Sequence, residues 1–145
     1  MWWGRSARSK AVVARFVAAI NAHDADAVEA MMTEDFTYID SWREGVSGRP
    51  KVIAALRSLI AIDPDFGMEI DELDWRDPHF WMTGRVNSRH FGSGGRAVWQ
   101  VLVRDGLVAE YQAWAEGGPP PMSRMLAPSY AQDMSSRAAE KPEIG

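Results

Sequence analysis

The run AVVARFVAAINAHDADAVEAMMTEDFTYID, residues 11–40, decides the fold. Val12, Val13, Phe16, Val17 and Ile20 recur at the three- and four-residue spacing of a single helix face. With Ser9 as its N-cap, that helix is expected over residues 9–23. Asp24 then caps a short second helix over 25–32. At Phe36 the period changes to two. Phe36, Tyr38, Asp40 and Trp42 alternate with Thr37, Ile39 and Ser41, which predicts a strand over 36–42. One face of that strand carries three aromatics and a carboxylate.

Outward from this run, Gly45, Gly48 and Pro50 mark a loop and a helix start. A third helix is expected over 50–61, with Val52, Ile53, Leu56, Leu59 and Ile60 as its apolar face. DPDFG breaks the chain. In FGMEIDELDWRD, residues 66–77, the apolar positions are Phe66, Met68 and Ile70, then Leu73 and Trp75. The change of parity predicts a bulge that bends the strand. FWMTGRVNSRHF (80–91), RAVWQVLV (96–103) and LVAEYQAWA (107–115) continue an antiparallel meander through the loop GSGG and the turn RDG. After Glu116 the composition shifts. GGPPPM opens a tail with little periodicity, expected to be disordered; the alternative is an arm docked through Met122, Met125, Leu126 and Tyr130. The expected division is a flexible leader over 1–8, a domain over 9–116 and the tail over 117–145.

Composition narrows the function classes. The chain has 145 residues, enough for one domain with a real core. A formal net charge of −4 argues against a general nucleic-acid binder, which needs a basic surface. The absence of cysteine excludes disulfides and thiolate catalysis. His23, His79 and His90 lie too far apart in sequence for a metal-ligand spacing, and nothing calls for a cofactor. No apolar run approaches the ~20 residues of a membrane span. The opening MWWGRSARSK lacks a following signal-type apolar segment, so a cytoplasmic protein is expected. Trp2 and Trp3 stand out as contact candidates.

The order helix, helix, strand, helix and four strands is α+β. Three helices against one face of a strongly bent antiparallel sheet leave a cone with a hydrophobic pocket, the default place for a small molecule.

On the run quoted above, together with GRPKVI and the ending RDGLVAEYQAW, the chain resembles the NTF2-like superfamily over residues 9–116. That group includes ketosteroid isomerases, SnoaL-type polyketide cyclases and limonene-epoxide hydrolases. The resemblance implies a cone-shaped α+β domain and a homodimer through the outer sheet face. Similarity to the ketosteroid isomerases places their proton-moving Asp at Asp40. Their oxyanion tyrosine falls on Phe16, and their second acid near Trp99 or Gln100, so steroid isomerisation by that mechanism is not expected. Similarity to the limonene-epoxide hydrolases places Tyr38 on their tyrosine, Asp40 on their asparagine, and Arg85 and Asn87 on their arginine and first acid. Their second acid falls at Ala113. A SnoaL-type cyclase needs least: one carboxylate base, greasy walls and one or two donors.

The expected function is therefore cofactor-independent acid–base chemistry (isomerisation, cyclisation or hydration/dehydration) on a small apolar cyclic or polyketide-like molecule. A non-catalytic ligand-binding or partner subunit is the alternative. Asp40 is the candidate base and Tyr38 the donor, with Phe16, Trp42, Trp81, Arg85, Asn87, Trp99 and Tyr111 as substrate-binding candidates. Bland readings stand beside these. Asp40 at a strand end can bond the loop amides of Arg43 to Val46. Alternation alone puts Arg85 and Asn87 in solvent, whereas the resemblance turns them inward. Strand 107–115 is expected to face Tyr111 inward, with Glu110, Gln112 and Trp114 as the opposite option.

Overall fold

Helix α1 runs over Trp2–Asn21 and α2 over Ala25–Ala30 in a computed structural model that describes residues 2–89 and 95–143. The side chains of Trp2 and Trp3, and His90, lie outside the described residues. The apolar stripe of α1 does what its spacing demands: Val12, Val13, Phe16, Val17 and Ile20 are all buried. The helix does not start at Ser9, however, and the expected leader is its first turns, where Arg8 Nε donates to the Gly4 carbonyl. Its C-terminal end is pinned by Asn21, whose side chain exchanges two hydrogen bonds with the Met68 backbone, at 2.7 and 2.9 Å. Next to it His23 takes a left-handed φ of 57° and sets Nε2 2.6 Å from the Phe66 carbonyl oxygen.

The chain continues through β1 (Met32–Ile39), β2 (Glu44–Ser47), α3 (Arg49–Ile62), β3 (Gly67–Arg76), β4 (His79–Asn87), β5 (Gly95–Arg104) and β6 (Leu107–Ala115). These strands form one sheet in the order β3-β4-β5-β6-β1-β2, with a two-residue β7 (Gln132–Asp133) at the β2 edge. All neighbours are antiparallel except β1 and β6, which are parallel. The sheet is thus mixed, not antiparallel throughout. Alternation reports which face a residue takes, and carries no information on the direction of a neighbour. The predicted bulge lies in β3, where the register against β4 shifts between Ile70 and Glu72.

Three other expectations need correction. The strand expected to reach Trp42 stops at Ile39, because Asp40 N–H donates to Glu44 O and Arg43 N–H to Asp40 O, closing a tight turn. The loop expected around Gly45 and Gly48 instead holds the short strand β2. The tail is also ordered rather than disordered. It forms α4 (Met122–Leu126), buries Ser123, Ala127 and Met134, and adds β7 to β2. Of the docking candidates, Met125 and Tyr130 are exposed.

The core lies between α1–α3 and the inner face of the sheet, around Phe16, Phe36, Met68, Phe80, Met82, Trp99 and Val101. On the outer face Trp81 stacks on Trp114, with ring centroids 5.8 Å apart. The tail crosses that face too: Gln112, fully buried, accepts from Ala139 N–H and donates to its carbonyl, and Arg137 pairs with Glu110.

Candidate functional site

Between the helices and the inner sheet face lies a cavity of about 310 Å³. α1 contributes Phe16 and Ile20, and α3 contributes Val52, Leu56 and Leu59. The sheet supplies Phe36, Tyr38, Val86, Trp99, Tyr111, Ala113 and Ala115. The tail supplies Pro119, Pro120, Met122 and Leu126. These are apolar walls apart from two phenols, Ser41, Ser88 and, at the rim, the exposed Glu116.

An aromatic chain shapes one wall. Phe16 packs 6.0 Å from both Phe36 and Tyr111, and Tyr111 lies 6.1 Å from Tyr38, centroid to centroid. The Tyr111 hydroxyl donates to Met68 Sδ at 3.2 Å. The Tyr38 hydroxyl has no hydrogen-bond partner among the described residues, while its residue lines the cavity. Burial holds the Tyr38 phenol well above the ordinary tyrosine range, and the Asp40 carboxylate adds to the shift. Tyr111 is raised by burial first and by Tyr38 second. Both are therefore neutral donors, never phenolates, at any ordinary pH.

Asp40 sits differently from the sequence expectation. It is 1% exposed, and it is not among the residues that line the cavity. Its Oδ1 accepts from the amides of Trp42 (2.9 Å) and Glu44 (3.1 Å). Its Oδ2 accepts from the amide of Ser123 in the tail, at 2.9 Å. The carboxylate thus ties the β1–β2 turn to α4. The alternation that put it on the aromatic stripe ends one residue earlier, where β1 gives way to the turn. Ser41 then takes over the ladder with its side chain, donating to Ala113 O and accepting from Ala115 N–H.

The remaining candidates divide by strand face. Phe16, Tyr38, Trp99 and Tyr111 come together on the cavity wall. Trp81, Arg85 and Asn87 do not: Phe80, Met82 and Gly84 are the buried positions of β4, so the alternate set points to the outer face. Alternation was the sound guide here. Trp42 is 55% exposed and donates through Nε1 to Pro119 O at 2.7 Å.

Several lining residues escaped the sequence reading. Val86 and Ser88 share the inward parity of Phe80 and Met82, a signal that was present in the alternation. Ser88 donates to the buried carboxylate of Asp63, which also accepts from Arg89 N–H at 3.2 Å. The tail has little periodicity, although Met122 and Leu126, two of the residues named for a docked arm, do line the cavity. Among the described residues no three His, Asp or Glu side chains gather as a metal-binding group. None of the described helices is long and apolar enough to cross a membrane.

What this arrangement can do is enclose an apolar molecule of one or two rings against aromatic walls, with one neutral phenol free to donate a hydrogen bond. Comparison with known proteins fits the frame. Among curated proteins none matches the chain in sequence. Solved structures do match in fold. A Mycobacterium tuberculosis protein of unknown function superposes with a TM-score of 0.67 at 15% identity, covering 92% of this chain and 95% of that one. An LEH-like epoxide hydrolase from M. tuberculosis gives 0.66 at 16% identity, over 76% and 84% of the two chains. An NTF2-like protein of unknown function from Cytophaga hutchinsonii gives 0.64 at 13% identity, over 74% and 89%. At such identities these likenesses show the fold, an NTF2-like α+β cone. The sequence signature of the SnoaL-like domain matches residues 13–111, and on that match the chain belongs to the SnoaL-like domain family.

Proposed function

We infer that the domain binds a small apolar, ring-bearing molecule in the cavity, oriented by a hydrogen bond from the Tyr38 hydroxyl. The observation that carries this reading is a part-buried phenol with no protein partner among the described residues, on the wall of an otherwise apolar space. A ligand that encloses this hydroxyl would leave a costly unmatched donor unless it brings an acceptor, so an acceptor-bearing ligand is favoured. The volume of about 310 Å³ lies at the low end of ligand pockets, roughly 300–1,000 Å³.

A thermal-shift panel of phenols, diketones, steroids and terpene epoxides tests it. A ligand at a hundredfold excess over its Kd stabilises the fold by about 2.7 kcal/mol. With 2-naphthol as the probe, Tyr38→Phe is expected to weaken binding about 2- to 10-fold, the value of one net hydrogen bond. Naphthalene, which has no acceptor oxygen, is expected to bind both proteins alike. Equal loss for both compounds would remove the hydrogen bond from this reading.

A second reading is catalytic, with carboxylate acid–base chemistry of the isomerisation, cyclisation or hydration/dehydration type. Glu116 favours it, as the carboxylate on the cavity lining. Asp40 can act as base in this reading only by giving up an amide partner. Turnover of a bound diketone that survives both Asp40→Asn and Glu116→Gln would rule this chemistry out.

A further inference from the structure

We propose that residues 117–126 form a strap across the mouth of the cavity, that Asp40 is the positioning residue that latches it, and that ligand entry and exit run through its release. The proposal rests on the ligand-binding reading and gives Asp40 a task within it.

The strap has the parts of a hinged closure. Gly117 and Gly118 take left-handed φ values of 85° and 66°, conformations open to glycine at little cost. Pro119, Pro120 and Pro121 follow as a stiff arm with no backbone N–H to give to the sheet. The last ladder-type bond before the hinge is Glu116 N–H to Arg96 O. α4 then carries the catch. Pro119, Pro120, Met122 and Leu126 face the cavity from this segment.

Every side-chain anchor on the strap, among the described residues, reaches one place, the turn at residues 40–44. Asp40 Oδ2 accepts from Ser123 N–H at 2.9 Å, and Ser123 Oγ donates to Glu44 O at 3.2 Å. Arg124 pairs with the Glu44 carboxylate at 2.9 and 3.0 Å, and Trp42 Nε1 holds Pro119 O at 2.7 Å. Of these bonds the one to Asp40 is buried and the Arg124 and Trp42 bonds are exposed. An exposed ion pair is worth little, so the buried charge-assisted bond is the principal catch. Beyond α4 the chain is tied down again by Met134 N–H to Arg43 O and by the β7 pairing, so the strap is tethered at both ends.

Asp40→Asn tests the latch with little change of shape. The amide oxygen keeps the bonds from Trp42 and Glu44, while its NH2 group meets the Ser123 N–H donor to donor. Trp42→Phe is the second variant; it removes the Pro119 anchor and leaves the carboxylate untouched. Amide hydrogen exchange and stopped-flow fluorescence with 2-naphthol are measured on the full chain. In Asp40→Asn the amides of 122–127 are expected to exchange at least tenfold faster, with α1 and β5 unchanged. The association and dissociation rates of 2-naphthol are expected to rise together, fivefold or more, with Kd moving less than threefold. Trp42→Phe is expected to show the same pattern, more weakly. Uniformly faster exchange throughout the domain would reduce Asp40 to a fold-supporting residue and overturn the proposal. So would a loosened strap with unchanged 2-naphthol rates. If wild type does not bind 2-naphthol at all, the ligand reading falls, while the exchange data still decide whether Asp40 holds the strap.

Discussion

Two tyrosines set the electrostatics of the cavity. Tyr38 and Tyr111 are both raised above the ordinary tyrosine range, each chiefly by burial. The native state keeps their protons at a pH where the unfolded chain, with tyrosines near 10, has released them. Stability contributed this way is complete below about pH 10 and falls as pH rises toward the native values. The slope is about 1.4 kcal/mol per pH unit for each group. Urea midpoints measured between pH 9 and 12 should therefore fall steeply above pH 10. Phenolate absorbance from these two residues should appear together with unfolding, and a gradual ionisation of all three tyrosines in the native state would contradict the burial. Asp40 teaches a different lesson at this scale. The alternation that places it on the aromatic stripe stops at Ile39, and its partners were legible only in part. Of the three amides it binds, that of Glu44 falls in the expected span 43–46, that of Trp42 lies just before it, and the third comes from Ser123, 83 residues away. No local pattern encodes that contact.

Among the elements, the β3–β4 pair depends on a close backbone approach. A Cβ placed on Gly84 would lie 1.8 Å from the Glu69 carbonyl oxygen, beside the bulge at Ile70 and Glu72. Gly84→Ala must push the two strands apart. A loss of roughly 1–3 kcal/mol is expected, the range of other overpacking changes, read as a lower urea midpoint at unchanged slope. An unchanged midpoint would place the bulge elsewhere. This bulge was foreseen from the parity change alone, as were α1, α3 and the β4–β6 meander, because each spans enough residues for a period to repeat. β2 has four residues, EGVS, too few to show one. The parallel β1–β6 pairing joins strands about 70 residues apart and leaves no trace in either strand's alternation. The tail holds on through backbone amides, a cap-like carboxylate and single buried side chains, and such contacts have no period to read.

For the whole molecule, the wall that completes the cavity arrives last in the chain. Helices and sheet build a cone, and residues 117–126 cross its mouth. The same tail then runs over the outer sheet face, at Glu110 and Gln112, so that face is partly occupied by the chain's own arm. Family membership was legible from residues 11–40 with GRPKVI and RDGLVAEYQAW, and of the cavity walls Phe16, Tyr38, Trp99 and Tyr111 were legible too. The occupant of the cavity was not, since apolar walls encode size and greasiness but no chemical identity.

The first experiment is a titration of 2-naphthol into wild type and Ala113→Leu, with binding read by fluorescence and folding by circular dichroism. Ala113 lines the cavity opposite Trp99 in the β5–β6 register, so a leucine there fills the space from within. Saturable binding to wild type, weakened tenfold or more in a normally folded Ala113→Leu, is the expected result. Equal binding to both proteins would put the ligand somewhere other than this cavity, and the proposed function would have to be abandoned.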